Sequence, residues 1–345
     1  MFLYTLGVPV NVLHVGVGPI GAGIVRQVVA RRGLSIVGAV DRDPAKIGRD
    51  LGDVCGIGRA LRVKVGDDIA RAIAAARPDV AILATRSALR DVLPDLEAVL
   101  RLKVPVVSTT EELAYPLKAH AAAARRIDAL ARRARVAVLG TGVNPGFTMD
   151  ALPIALTAVC ERVDAIRVDR IQDARIRRLP FQQKIGAGLT ADEFKERVRE
   201  GTVRHVGLAE SITMIADALG WKLDRIVDVV QPKIAESSVS GDTLRVPAGG
   251  VCGLLQEGVG YRRGRALITL HMEAYLGAPE TYDAIRIDGT PPIAMKIAGG
   301  VHGDIATAAI VVNSIPKVLQ AAPGLRTMRD LPLPSFFGSS RVSPL

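Results

Sequence analysis

Aromatic side chains are scarce in this 345-residue chain, at 3% of positions with a single tryptophan. Reading unpaired nucleic-acid bases takes aromatic stacking platforms, so a base-binding surface is not expected. Cysteine is scarcer still. Cys55, Cys160 and Cys252 are far apart and odd in number, which excludes a disulfide framework, and no Cys-x-x-Cys spacing points to a metal. No two of the five histidines stand at metal-ligand spacing either, so no metal is expected. A run of about 18 apolar residues, the minimum for a membrane span, is missing, and no membrane partner is expected. Met1-Phe2-Leu3-Tyr4 lacks the basic start of a secretory signal, and the sparse thiols fit a reduced cytoplasm. Repeats and low-complexity tracts are also lacking.

Charge is plentiful but scattered. The formal net charge is +10, yet the densest basic groups are interrupted by apolar or acidic residues. These groups are Arg125-Arg126, Arg132-Arg133-Arg135 and Arg175-Arg177-Arg178. Such a pattern suits solvated helix faces, or steering of a small anion, better than a nucleic-acid track. With 49% hydrophobic residues, a chain of this length is comfortable with two cores.

Short apolar runs alternate with amphipathic stretches from Val10 to Ala158. Val10–Val15, Leu34–Val40, Val80–Leu83, Val104–Val107 and Val136–Leu139 read as buried strands, being nearly continuous Val, Ile and Leu. Helix-like stretches lie between them, at about Ile20–Arg32, Asp67–Ala76, Arg86–Leu102 and Thr110–Arg133. Alternating strands and helices predict an α/β fold with a doubly wound parallel Rossmann sheet over residues 1–158. After about residue 160 the rhythm changes. Val163–Ile171 alternates like a half-exposed strand, and Thr190-x-x-Glu193 is a capping box opening a helix. Further strands are expected at Val227–Ile234, Thr243–Pro247, Val251–Tyr261, Ala266–Glu273 and Ala284–Asp288. A mixed-sheet α+β domain over 159–303 is therefore expected. A small-residue helix and a Pro- and Ser-rich strap, 304–345, then return to the first domain.

The most specific pattern is Gly16-x-Gly18-x-x-Gly21, lying between a strand and a helix. Gly16 permits the turn, Gly18 lets backbone approach a pyrophosphate, and Gly21 lets helix and strand pack closely. Pro19 and Ile20 open the helix, whose free N–H groups suit phosphate oxygens. Asp41 closes the second strand, placed to hold ribose hydroxyls. Its carboxylate argues for NAD, whereas Arg42 can pair with the 2′-phosphate of NADP, so both cofactors stay open. Thr85 and Thr109, at the ends of later strands, complete the expected cofactor set.

Two carboxylates follow the Val104–Val107 strand in Ser108-Thr109-Thr110-Glu111-Glu112. Thr109 and Glu112 have capping-box spacing, which predicts that Glu112 folds back on its own helix. Glu111 then is either an ordinary first-turn acid or a proton carrier facing the crevice where substrates meet cofactor. Gly140-Thr141-Gly142-Val143-Asn144-Pro145-Gly146-Phe147 follows the next strand. There Asn144 can orient a carboxamide or amine and Phe147 can floor an apolar pocket. Arg170, His271 and His302 are further substrate-side candidates. For each a structural role stands beside the functional one: sheet surface, core histidine and helix-entry turn.

STTEELAYP at Ser108–Pro116, GTGVNPGFTMD at Gly140–Asp150, KIGAGL at Lys184–Leu189 and GGVHGD at Gly299–Asp304 make the chain recognisable. Together they resemble the 2,4-diaminopentanoate dehydrogenase family, which includes the native NAD(P)H-dependent amine dehydrogenases. The resemblance covers nearly the whole chain. It implies a dihydrodipicolinate-reductase-like architecture, with a second domain that binds substrate and dimerises. It also implies a homodimer, and oxidative deamination of an amine or, in reverse, reductive amination of a ketone with ammonia. Glu111 would be its acid/base group. Two related layouts fit poorly. Dihydrodipicolinate reductases carry a His-His pair and a Lys-Asp-Ala-Pro-Ser-Gly-Thr segment that are missing here, and the Glu-Lys-Pro motif of sugar oxidoreductases is replaced by Ser108-Thr109-Thr110-Glu111. A reductase of the dihydrodipicolinate-reductase type or a plain carbonyl reductase is the enzymatic alternative, and an NAD(P)-binding sensor the non-enzymatic one.

Overall fold

The structure, a computed structural model, describes residues 9–338. Met1–Tyr4 and the end of the tail, read above as signal-free start and strap, lie outside those residues. The chain divides into two compact units: one runs to Phe147 and resumes at His302, and the other is Thr148–Val301.

The first unit begins β1 (Val10–Val15), α1 (Pro19–Ala30), β2 (Leu34–Val40), α2 (Leu51–Val54) and β3 (Val65–Gly66). It continues α3 (Ile69–Ala76), β4 (Val80–Leu83), α4 (Leu89–Arg101), β5 (Val106–Ser108), α5 (Ala121–Ala134) and β6 (Ala137–Gly140). The second unit contains α6 (Ala151–Leu156), β7 (Arg162–Asp173), α7 (Leu179–Lys184), α8 (Ala191–Arg199) and α9 (Leu208–Ala218). Its remaining strands are β8 (Arg225–Ile234), β9 (Val239–Ser240), β10 (Arg245–Val246), β11 (Val251–Arg262), β12 (Arg265–Tyr275), β13 (Tyr282–Thr290) and β14 (Ile293–Ala298). The chain then returns to the first unit with α10 (Gly303–Gln320) and β15 (Gly324–Arg326).

Seven parallel strands in the order β15-β6-β5-β4-β1-β2-β3 form the first sheet. Its central strands are sealed on both faces: Leu13, Val80, Ile82, Val106 and Val138 are fully buried. That accounts for their unbroken Val, Ile and Leu runs. One expected helix is not continuous. Thr110–Arg133 resolves into a single 3-10 turn, Glu111–Leu113, and then α5 from Ala121. Pro116 lies between them; it has no N–H to donate and steers the preceding residue away from helical dihedrals.

The second unit is built on a six-stranded mixed sheet, β14-β13-β7-β12-β11-β8, in which β7 runs parallel to β12 and antiparallel to β13. One face is covered by α9, whose Leu208, Ile212 and Ile215 pack with Ile166, Val168 and Ile268. The Thr190–Glu193 capping box opens α8 as its spacing predicts. The strand expected at Thr243–Pro247 shrinks to β10, which pairs only with β9 in a separate ribbon. β14 was not foreseen, although Ile293, Met295 and Ile297 alternate with smaller or charged residues as an edge strand requires.

Candidate active site

The glycine pattern forms the turn between β1 and α1. Gly16 has φ +93°, and a Cβ there would sit 2.5 Å from the carbonyl oxygen of Ala84 at the end of β4. At Gly21 a Cβ would lie 2.0 Å from the Gly16 carbonyl oxygen. Gly18 differs: nothing lies within 4 Å of its would-be Cβ, so open space begins at its backbone. The loop is thus closed against protein at two glycines and open at the third, the shape a pyrophosphate cradle requires. Pro19 occupies the first turn of α1 and no side chain caps that helix end, which leaves its first N–H groups for an anion.

A cavity of about 480 Å³ opens over this loop. Gly16, Gly18, Asp41, Arg42 and Thr85 line it; Pro19, Ile20 and Gly21 lie behind as the start of α1, and Thr109 is outside the lining. The Asp41 carboxylate accepts from the Val17 N–H at 2.5 Å and the Asp43 N–H at 2.9 Å, with the Lys46 ammonium 3.4 Å away. Burial alone would raise its pKa; the two N–H groups and Lys46 outweigh that and hold the carboxyl below its ordinary value. Asp41 therefore stays ionised while bracing the glycine loop. Arg42 reaches Asp95 on α4 at 2.7 Å. Lys46 and Asp95 were missed in the sequence, where nothing marks which charges of a helix or loop face a cavity.

His14 was also missed. It is fully buried in β1, and its Nε2–H donates to the Gly16 carbonyl at 3.0 Å. Burial pushes its pKa down to about 4, so the ring is neutral at physiological pH. The available signal was a polar residue inside an apolar strand, two positions before the first fingerprint glycine.

Glu111 stands on the 3-10 turn directly after β5. The Thr109 N–H donates to the Leu83 carbonyl at 3.0 Å, and the Thr141 N–H to the Ser108 carbonyl at 2.9 Å. These bonds join the ends of β4, β5 and β6, so the acid-bearing turn and the Gly140–Phe147 loop are neighbours. A Cβ on Gly140 would meet the Leu113 carbonyl at 2.5 Å, which is how closely the two approach. Asn144 is buried and Phe147 half-buried within this loop.

Glu112 does not cap its own helix. Its carboxylate accepts from the Leu89 N–H at 2.7 Å, the first residue of α4, and its own N–H donates to the Ser87 carbonyl at 3.3 Å. The capping-box spacing misled because the following segment is a single turn with no side-chain cap.

The remaining candidates have the following partners. His302 caps α10, accepting from the Ile305 N–H at 3.5 Å. Arg170 is 2% exposed, paired with Asp283 at 2.5 Å and donating to the Val301 carbonyl at 2.8 Å. Asp283 in turn accepts from the Val301 N–H at 2.7 Å, so the pair moulds the Gly299–Val301 turn. His271 sits between Glu273 at 2.9 Å and Glu257 at 3.3 Å. It pairs in register with Asp169, one residue before Arg170, so His271 and Arg170 occupy opposite faces of the sheet. The two cannot serve one pocket wall.

Comparison with known proteins agrees across both units. Residues 147–342 match the family model described as 2,4-diaminopentanoate dehydrogenase C-terminal domain, and residues 10–133 that of dihydrodipicolinate reductase, N-terminus. The chain is 36% identical to 2,4-diaminopentanoate dehydrogenase of Acetoanaerobium sticklandii over 94% of each sequence. It is 26% identical to the amine dehydrogenase of Streptomyces virginiae, covering 92% of this chain and 95% of that one. The solved amine dehydrogenase of Mycobacterium smegmatis superposes with a TM-score of 0.84 at 26% identity, covering 95% of this chain and 97% of that one.

Proposed function

The chain belongs to the 2,4-diaminopentanoate dehydrogenase family, and from that premise we propose that it is an NAD(P)-dependent amine dehydrogenase with Glu111 as its acid/base residue. It deaminates an amine oxidatively and, in reverse, aminates a ketone with ammonia. One observation carries the reading. The segment from Ala84 to Leu89 lines the dinucleotide cavity with Thr85 and Arg86, and holds the acid-bearing turn through Ser87 and Leu89. Cofactor site and carboxylate are thereby built on one short piece of backbone, at the strand ends where such folds do chemistry.

The bound nicotinamide supplies or accepts the hydride. The rest of the reaction is proton handling, which falls to the protein. In the aminating direction Glu111 takes a proton from ammonium, because only neutral ammonia adds to the ketone carbonyl. It returns that proton to the departing hydroxyl of the carbinolamine, and water leaves. The carboxylate so regenerated faces the cationic iminium and stabilises it until hydride arrives. Asn144 orients the amine and Phe147 keeps water from the reacting carbon. Arg170 shapes the Val301 turn beneath the substrate unit's surface.

Replacing Glu111 with Gln should lower turnover about 10²- to 10⁴-fold. NAD(P)H oxidation with a panel of ketones should require ammonium. Oxidation that proceeds without ammonium would replace this reading with plain carbonyl reduction.

The open face of the six-stranded sheet, away from α9, carries Arg167 paired with Asp169 and near Glu257, with His271 and the 44% exposed Val229 beside them. A homodimer through this self-complementary face is proposed, working in the cytoplasm. Among the described residues no helix is long and apolar enough to cross a membrane. Sedimentation of the protein recovered from a cytosolic fraction tests both points; a monomer, or recovery in the membrane pellet, overturns them.

A further inference from the structure

A three-residue 3-10 turn cannot hold its own shape: it closes too few hydrogen bonds to fix its dihedrals. The turn Glu111–Leu113 nevertheless has to present a carboxylate in one place. Its N-terminal neighbour, Thr110, gives it no side-chain cap. Leu113 is fully buried, and Gly140 presses on its carbonyl from behind. Ser108 Oγ accepts from the Thr110 N–H at 3.2 Å just before the turn, and Glu112 ties the turn itself to a second helix. Its carboxylate lies 2.7 Å from the Leu89 N–H and 3.3 Å from Nε2 of His120, the residue that precedes α5. Ala88, the N-cap position of α4, has no side chain able to bond the first N–H groups. Glu112 therefore supplies α4 with the cap its own sequence lacks, a charge favoured at the positive end of the helix dipole.

We infer that Glu112 is the positioning residue for Glu111. It clamps the acid-bearing turn to the start of α4, the helix whose Asp91, Asp95 and Ala98 line the dinucleotide cavity. The Glu112 side chain, together with the backbone bond from the Glu112 N–H to the Ser87 carbonyl, ties the acid-bearing turn to the segment that lines the cavity. Glu112 touches neither reactant; it acts through the backbone of residue 111. The inference rests on the role proposed for Glu111.

The test compares turnover, dinucleotide affinity and melting temperature across a small set of variants. Glu112→Ala should lower kcat about 10- to 100-fold, the usual cost of a reacting group displaced by about 1 Å. NADH affinity by fluorescence titration should change less than about threefold. Glu112→Gln, which keeps an acceptor oxygen for Leu89, should restore most of the loss. Adding Ala88→Ser to Glu112→Ala gives α4 its own cap, so it should recover melting temperature but not kcat. In a Glu111→Gln background, Glu112→Ala should cost nothing further. The inference is overturned if Ala88→Ser restores kcat along with stability, or if Glu112→Ala costs as much with Glu111 replaced. An unchanged kcat in Glu112→Ala alone also overturns it. If instead Glu111→Gln itself leaves turnover intact, the failure lies with the acid/base reading.

Discussion

Two loops at the same edge of one parallel sheet are shaped by opposite means. The Gly16–Gly21 loop takes its form from side chains that are missing: a Cβ at Gly16 or Gly21 would collide with backbone 2.5 Å or less away. The Glu111–Leu113 turn takes its form from a side chain that is present, the Glu112 carboxylate reaching α4. The first is intolerant of an added carbon at Gly16 or Gly21, where backbone closes in, and open at Gly18. The second relies on the Glu112 carboxylate as acceptor for the Leu89 N–H, beside the backbone bond from Glu112 to Ser87. A cradle for a phosphate needs close backbone approach, whereas a proton carrier needs an exposed carboxylate held at a set distance. The contrast fits the roles proposed for the two loops.

Glycine substitutions should break this contrast most strongly. Gly21→Ala overpacks the loop and should cost about 1–3 kcal/mol of stability, seen as a lower melting temperature. Gly18→Ala meets open space, so its melting temperature should hold while NADH affinity falls roughly tenfold, about 1.4 kcal/mol. Equal melting losses in the two variants would show that the loop is merely crowded rather than shaped for a ligand.

His14 sharpens the same contrast through pH. Its folded pKa of about 4 lies below the ordinary 6.5. Between those values the unfolded chain binds a proton that the native ring refuses. Stability from this group is therefore complete above about pH 6.5, is lost as pH falls toward 4, and amounts to about 3 kcal/mol. His205, whose burial and the nearby Lys184, Arg170 and Arg204 push its pKa down to about 3, adds to the decline in the second unit. Chemical denaturation from pH 7 to 4.5 should show the fall, and His14→Gln should flatten part of it. A parent curve that is flat over this range would remove His14 from the support of the glycine loop.

The smallest effects concern charges at the cavity mouth. Arg42 has 68% of its side chain exposed, and its bond to Asp95 belongs to a class worth about 0–1 kcal/mol. Arg42→Ala should leave melting unchanged and shift only the ratio of NADPH to NADH affinity, measured by the same titration. An equal loss for both dinucleotides would assign Arg42 to the adenine rather than to a 2′-phosphate.

Much of the first unit was readable because its signals are local. Buried parallel strands have to be apolar throughout, and a strand–glycine–helix turn can be built from few residue types, so β1, β2, β4 and the fingerprint with Asp41 stand out in the primary structure. The four motifs shared with the dehydrogenase family were equally plain. Other features depend on partners far along the chain. β15 is three residues long, and it exists by pairing with β6, with the Leu325 N–H also donating to the Asp128 carboxylate of α5 at 3.0 Å. No periodicity shows in so short a segment. Arg170 and His271 were both substrate-side candidates, one on a half-exposed strand and one in an apolar strand, and only the register between β7 and β12 places them on opposite faces.

By itself, then, the sequence determined the α/β class, the dinucleotide loop and the presence of an acid at the end of β5, because each follows from the pattern of residues within one or two turns of chain. Tertiary structure alone decided that Glu112 anchors its turn to another helix rather than capping its own, because that choice was made by the uncapped start of α4 at Leu89, 23 residues away. Spacing within a segment cannot reveal a hydrogen-bonding vacancy in another.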